Sequence, residues 1–285
     1  METLRSPGQP RMMRLTLGQV IRPRLACYPR LAGLFSGSGL EVGGPSHFFS
    51  GRGLFPVYPR ATRLDNCNFA GETIWEGKIA AGETFRYHWR HKPGRQYFSE
   101  ATDLGFAADD AYDFLISSHM LEHSANPIRA LMEWKRVIKP EGGLLLVLPH
   151  RDGTFDRRRP VTPLQHLIED FEQGMGEEDL SHVPEILELH DYSLDPGGDE
   201  PARFAVRCHD NFKNRSLHQH VFDTRLAVEL VDLLQFQVLA VETAPPYHIA
   251  IAAVRKQIDE PVDNENFRRT SASHRYSIVF PSDRR

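Results

Sequence analysis

Between Glu177 and Asp223 the chain crowds imidazoles and carboxylates together: His182, Glu185, His190, Asp191, His209, His218, His220 and Asp223. Imidazole titrates near neutrality, so a histidine here could take a proton from a hydroxyl or an amine. His218-x-His220 on a strand would point both rings to one side. That spacing occurs in metal sites, and His182, Glu185, His190 or Asp191 could complete the set. The competing reading is a polar inserted lid whose histidines hydrogen-bond one another and the ligand. The expectation taken forward is the lid, with no metal. His150, His182 and His220 are the candidate bases, His150 because it follows directly on an apolar run. Upstream, Arg157-Arg158-Arg159 could clamp a phosphate, a carboxylate or a nucleotide sugar by paired hydrogen bonds. The same run also reads as a solvated loop or as ion-pair partners for Glu169 and Asp170. Arg157, Arg158, His190, Asp191 and His218 are the candidate substrate contacts.

These groups need a scaffold, and the stretch Tyr112–His150 supplies its centre. Asp113-Phe114-Leu115-Ile116 is an apolar run of strand length, ending in the polar residues Ser117, Ser118 and His119. A helix follows Asn126-Pro127, proline being tolerated in a first turn. Ile128, Leu131, Met132, Val137 and Ile138 repeat at three or four, with Trp134 the odd one out. Lys139, Pro140 and Gly142-Gly143 stop the helix. Leu144–Leu148 is a second apolar run, ended by Pro149-His150. Strand, helix and strand, with both strands apolar throughout, make a βαβ unit of a parallel sheet covered on both faces.

Leu121-Glu122-His123 followed by Arg136-Val137-Ile138-Lys139-Pro140-Glu141-Gly142-Gly143 resembles the second half of a class I S-adenosylmethionine-dependent methyltransferase. The resemblance runs without a gap over about forty residues, departing only in Ile138 for the usual Leu and in one inserted Glu141. It implies an α/β, Rossmann-like fold: a mostly parallel sheet that ends in an antiparallel hairpin, with the His-rich insertion after the fifth strand. S-adenosylmethionine is the cofactor it implies, and a transferase acting in biosynthesis is the activity.

Other stretches fit the same pattern in part. Leu40-Glu41-Val42-Gly43-Gly44-Pro45-Ser46 resembles the family's first motif, an acid followed by a glycine turn that lets the backbone approach the cofactor. Glu41 and Gly43 match, Gly44 is extra, and Pro45-Ser46 replaces the later glycines. Asp65, followed by Asn66, stands for the acid that accepts from the ribose hydroxyls, or else forms a turn. Ser99–Phe106 resembles the adenine-binding stretch, with Glu100 before Ala101 by register. Ser117, Ser118 and His119 end the next strand on the cofactor side. Asn68–Tyr97 is longer than the usual link and is expected to shape the acceptor side. Thr224–Leu234 reads as a helix, and 236–241 and 248–254 as the closing hairpin.

Composition sets the limits. The chain has 285 residues, net charge −4 and three well-separated cysteines, Cys27, Cys67 and Cys208. Such a charge implies no general pull toward nucleic acid or an anionic membrane. No Cys-x-x-Cys pair exists, so neither a disulfide framework nor a zinc knuckle is supported. A cytoplasmic enzyme acting on a small molecule is expected; a homodimer is compatible with it. Residues 1–36, with Arg5, Arg11, Arg14, Arg22, Arg24 and Arg30 against one acid, read as a basic lead-in helix or a transit peptide. Residues 37–256 are the methyltransferase-like domain with an insertion at about 151–222, and 257–285 a flexible tail.

Methyl transfer to O or N of a sugar or secondary metabolite is thus the leading expectation. The same fold could instead carry metal-assisted or histidine-based hydrolase or lyase chemistry, or act as a non-catalytic binding protein.

Overall fold

The computed structural model describes residues 23–195, 200–268 and 279–284. The strands are β1 (Ser38–Val42), β2 (Arg63–Asn68), β3 (Glu72–Thr73), β4 (Gly77–Lys78), β5 (Gly82–Phe85), β6 (Gly94–Phe98), β7 (Tyr112–Ser118), β8 (Ile138–Pro149), β9 (Phe236–Ala244) and β10 (His248–Arg255). Eight of them form one sheet in the order β5-β6-β2-β1-β7-β8-β10-β9, while β3 and β4 pair separately as a hairpin. The run β6-β2-β1-β7-β8 is parallel, and β10 runs antiparallel to both β8 and β9. Chain order therefore reverses between β1 and β7, and an open α/β sheet has its crevice beside such a reversal, outside the carboxyl ends of the strands.

Alternation along the central strands splits the core in two. Leu144, Leu146 and Leu148 of β8 face one layer, Leu145 and Val147 the other. The first layer is helical: α2 (Pro127–Val137) and α7 (Thr224–Leu233) pack there. Asn126 caps α2 by accepting from Arg129 N at 3.0 Å, and Asp223 caps α7 by accepting from Leu226 N at 2.7 Å. Such caps are worth about 0.5–2 kcal/mol each. Trp134 corrects the sequence reading of α2, because it lies on the buried stripe and Met132 falls off it. Its indole Nε1 donates to Ala101 O at 3.1 Å, tying α2 to the chain after β6.

The second layer has almost no helix. It is covered by α1 (Tyr28–Leu31), a 3-10 turn at Ala32–Phe35 and the glycine- and proline-broken stretch that follows β1. Aromatic rings fill it edge to face: Phe35 meets Phe55 at 5.3 Å and Phe114 at 5.8 Å. Only a 3-10 turn, His47–Phe49, stands where the first crossover helix of such a sheet would be, in accord with its glycine-rich sequence. Of the basic lead-in, Arg5, Arg11, Arg14 and Arg22 lie outside the described residues, and Leu25 and Leu31 pack into this layer.

The inserted region carries α3 (Leu164–Gln173), α4 (Val183–Leu189), α5 (Pro201–His209) and α6 (Asn211–Asn214); α4 and α5 share a small core of Val183, Ile186, Phe204, Cys208 and Leu217, while α3 packs on the main core through Leu167. Past β10 lies α8 (Glu265–Arg268). The expectation of a flexible tail needs correcting at residues 279–284. Phe280 is buried against the His150 ring at 4.0 Å, and Asp283 accepts from Thr224 Oγ1 at 2.6 Å. Among the described residues no helix is long and apolar enough to cross a membrane.

Candidate functional site

A cavity of about 750 Å³ opens at the carboxyl ends of β1, β2, β6, β7 and β8, where the topology predicts a ligand. Its floor is the turn after β1. Gly43 has φ +83°, a left-handed conformation that favours glycine, and a Cβ there would meet the Met120 side chain at 2.5 Å. Gly43, Pro45 and Ser46 line the cavity. Glu41 and Gly44 do not, because they brace the turn from beneath. The Tyr58 hydroxyl donates to the Glu41 carboxylate, 2.9 Å from both oxygens, and Ser46 N donates to it at 3.0 Å. Burial pushes the Glu41 carboxyl up to about 8. Asn66 locks the turn from the next strand: its Oδ1 accepts from Gly44 N at 3.2 Å and its Nδ2 donates to Gly44 O at 3.1 Å.

Asp65 is not brought to the cavity, nor is Asn66. Strand β2 continues to Asn68, so Asp65 sits in its middle, where it accepts from Arg95 N at 2.8 Å and from Tyr112 Oη at 3.3 Å. Asn68 and Phe69 take the place at the rim instead. Glu100 and Ala101 do line the cavity beside Ser99, and Glu100 accepts from Arg215 Nη2 at 2.5 Å. After β7, His119 lines it, whereas Ser117 spends its hydroxyl on Val42 O at 2.9 Å and Ser118 is buried under the rim.

The polar wall comes from the loop after β7 and from the insertion. Glu122, His123, His218, Glu177 and Arg215 line it together. His218 Nδ1 lies 2.5 Å from Asp156 Oδ2, and Arg159 Nη1 donates to the other Asp156 oxygen at 2.9 Å. Burial alone would lower the His218 pKa, but the facing carboxylates of Asp156 and Glu122 raise it on balance. Asp156 mirrors it: burial pushes upward, and His218 and Arg159 hold the carboxyl below its usual value. Burial lifts Glu122 to about 7 and drops His123 to about 3. His123 Nδ1 lies 2.8 Å from Leu217 O, which fixes the proton on that nitrogen. Among the described residues, Glu122 Oε2 is buried without a hydrogen-bond partner. The β3–β4 hairpin hangs over this wall, with Trp75 half-exposed and its ring 5.2 Å from that of His123.

Several expected groups serve elsewhere. His150 is sealed beneath the returning terminus, its Nε2 3.1 Å from Asp283. His182 and His220 face α3, away from the cavity, with Nε2 atoms 3.2 Å from His166 and 2.9 Å from Asp170 respectively. The segment holding His218 and His220 is not a strand, so the two rings diverge. Arg157 and Arg158 pair with Asp191, and His190 lies between Phe155 and Phe204 with Nε2 3.1 Å from Asp195. Of the proposed substrate contacts only His218 reaches the cavity. Glu122, His123, Glu177, Arg215 and Trp75 were not anticipated, although Leu121-Glu122-His123 sits directly after a strand at the sheet's carboxyl edge.

Residues 80–146 match the methyltransferase domain family, a span from just before β5 through β6, β7 and α2 into β8. No curated protein matches the chain. Among solved structures it is similar to a SAM-dependent methyltransferase from Aquifex aeolicus, at 13% identity and TM-score 0.42, covering 80% of this chain and 87% of that one. It is likewise similar to the PH0226 protein from Pyrococcus horikoshii OT3, at 16% identity and TM-score 0.44, covering 81% and 88%. A third is the trans-methyltransferase CalH in complex with SAH, at 11% identity and TM-score 0.43, covering 80% and 55%. The assignment rests on the domain match and the strand order, not on these scores. Residues 80–146 are a methyltransferase domain set in an open, mostly parallel α/β sheet, which supports an S-adenosylmethionine-dependent methyltransferase.

Proposed function

We propose that this enzyme methylates O or N of a small polar acceptor, of the sugar or secondary-metabolite type, within a biosynthetic pathway. The observation that carries the reading is the His218–Asp156 pair on the cavity wall. Asp156 holds Nδ1 at 2.5 Å, which leaves Nε2 as the ring nitrogen available for a proton from the acceptor. The cavity, at about 750 Å³, falls within the roughly 300–1,000 Å³ of small-molecule sites.

The residues present suit the cofactor. Gly43, Pro45 and Ser46 offer a close backbone approach, and Ser99, Glu100 and Ala101 a polar edge for the base. Glu122, with an unpartnered buried oxygen, is the acceptor for a cationic group. Bound S-adenosylmethionine supplies an electrophilic methyl on a sulfonium. The protein then has three tasks: orienting the acceptor, excluding water and taking its proton. His123, Glu177 and Arg215 give the acceptor polar partners. Trp75 and the β3–β4 hairpin cover the site. His218 Nε2 receives the hydroxyl or amine proton while Asp156 keeps the ring in place.

A methyl-labelled donor offered with a panel of small hydroxyl and amine compounds tests this. Label on O or N of a panel member supports the reading. Transfer to carbon only, or none from a protein that binds the donor, overturns it.

A further inference from the structure

Behind the cavity wall, four side chains from three elements converge on one point. His166 and Asp170 stand one turn apart on the same face of α3, His182 immediately precedes α4, and His220 lies in the segment leading into α7. One ligand atom from each falls within 4.8 Å of every other. Three of the separations are known individually. His166 Nε2 is 3.2 Å from His182 Nε2 and 3.4 Å from Asp170 Oδ2, and His220 Nε2 is 2.9 Å from the same Asp170 oxygen. A tetrahedral ion with bonds of about 2.0–2.1 Å requires ligand atoms about 3.3 Å apart. The three distances bracket that edge.

The surroundings are those of a ligand set. His220 Nδ1 lies 3.1 Å from Ser124 O, so its second nitrogen is held by a backbone carbonyl while Nε2 points at the cluster. Such outer bonds fix the tautomer and orientation of metal-bound histidines. Asn126 Nδ2 donates to Asp170 O at 3.1 Å, anchoring that turn of α3. The His182 side chain makes no cap bond to α4 although it occupies the capping position. Asp170 and His220 are buried, whereas the His166 side chain is 35% exposed and leaves an approach from solvent. A chain of hydrogen bonds would satisfy these groups pairwise, yet it gives no reason for two imidazoles to share one carboxylate oxygen while a third turns its Nε2 toward them.

We propose that His166, Asp170, His182 and His220 bind one divalent transition-metal ion, zinc by the character of the donors, in a closed tetrahedral site. Four protein ligands leave no open position, so the ion is structural. It joins α3 and the start of α4 to the 217–223 segment, and through Ser124 it braces the wall that carries His218. No metal is expected from the sequence, since His-x-His pairs arise often by chance, and His166 carries no signal of its own there.

The test uses the full chain without a histidine tag. Metal analysis, cobalt(II) substitution and melting with and without chelator are compared with the His166→Gln/His182→Gln double variant, whose side chains are the more exposed pair. Expected results are one equivalent of zinc per chain, tetrahedral cobalt absorption and a melting temperature lowered by chelator. All three are lost in the double variant, which still binds S-adenosylhomocysteine and so is shown to be folded. The proposal fails if zinc, cobalt, nickel and manganese give neither heat nor a melting shift. It fails equally if the double variant keeps the ion, or if His123→Gln removes it, which would place the ion at Glu122, His123 and His218.

Discussion

His218 and His220 are two residues apart in sequence and serve different sites: Nδ1 of the first lies 2.5 Å from Asp156, and Nε2 of the second 2.9 Å from Asp170. The irregular backbone between Ser216 and Phe222 permits the divergence, since a strand would have sent both rings to one face. One short segment thus supplies the cavity wall with His218 and the cluster behind it with His220.

On the proposed function, His218→Gln removes the proton acceptor and keeps a polar side chain of similar reach. Transfer to the acceptor should fall by about 10²–10⁴-fold, the usual worth of a positioned base. Cofactor affinity should stay near the wild-type value. Steady-state rates and calorimetry on the same preparation separate the two effects.

Trp75 is 53% exposed, lines the cavity and has its ring 5.2 Å from that of His123, and on the proposed function it covers the acceptor. Trp75→Ala should raise KM for the acceptor and leave the melting temperature unchanged. An equal loss of stability would show the hairpin to be part of the core instead.

Gly43→Ala forces an L side chain into φ +83° and against Met120. The backbone conformation alone costs about 1–2 kcal/mol. Denaturant melts should show at least that loss, and S-adenosylhomocysteine binding should weaken, because the displaced turn forms the cavity floor.

Glu41 carries the pH dependence of this turn. Its folded pKa is near 8 against an ordinary 4.5, so the folded chain holds a proton there that the unfolded chain releases. The stabilisation this gives relative to the ionised form is complete below about 4.5 and is lost as pH rises through about 8. One such proton makes stability fall by about 1.4 kcal/mol per pH unit inside that window. Glu41→Gln should flatten the slope and gain on the wild type toward pH 9. Denaturation midpoints across the range decide it; an unaltered slope would mean that Glu41 is ionised in the fold.

The central βαβ unit was legible because Phe114–Ile116 and Leu144–Leu148 are unbroken apolar runs and its helix carries its own cap at Asn126. The turn after β1 that floors the cavity was legible at Gly43, Pro45 and Ser46, since a glycine that must take positive φ leaves a mark in sequence. Asp65 was misplaced for want of any signal that β2 runs on to Asn68. His150 sits in sequence where a catalytic group would sit, and its burial depends on Phe280 and Asp283, which arrive from the far end of the chain. Glu122 and His123 were in view throughout, but as a family signature and not as a cavity wall. His166, at the exposed edge of α3, meets its partners only through folding of the insertion.

Calorimetric titration with S-adenosylhomocysteine tests the central claim most directly, using the wild type, Gly43→Ala and Asp65→Asn. Saturable one-to-one binding in the wild type, lost or weakened in Gly43→Ala and kept in Asp65→Asn, is the predicted result. No heat from a folded wild-type protein would contradict the account. Loss of binding in Asp65→Asn with retention in Gly43→Ala would place the cofactor elsewhere than in this cavity.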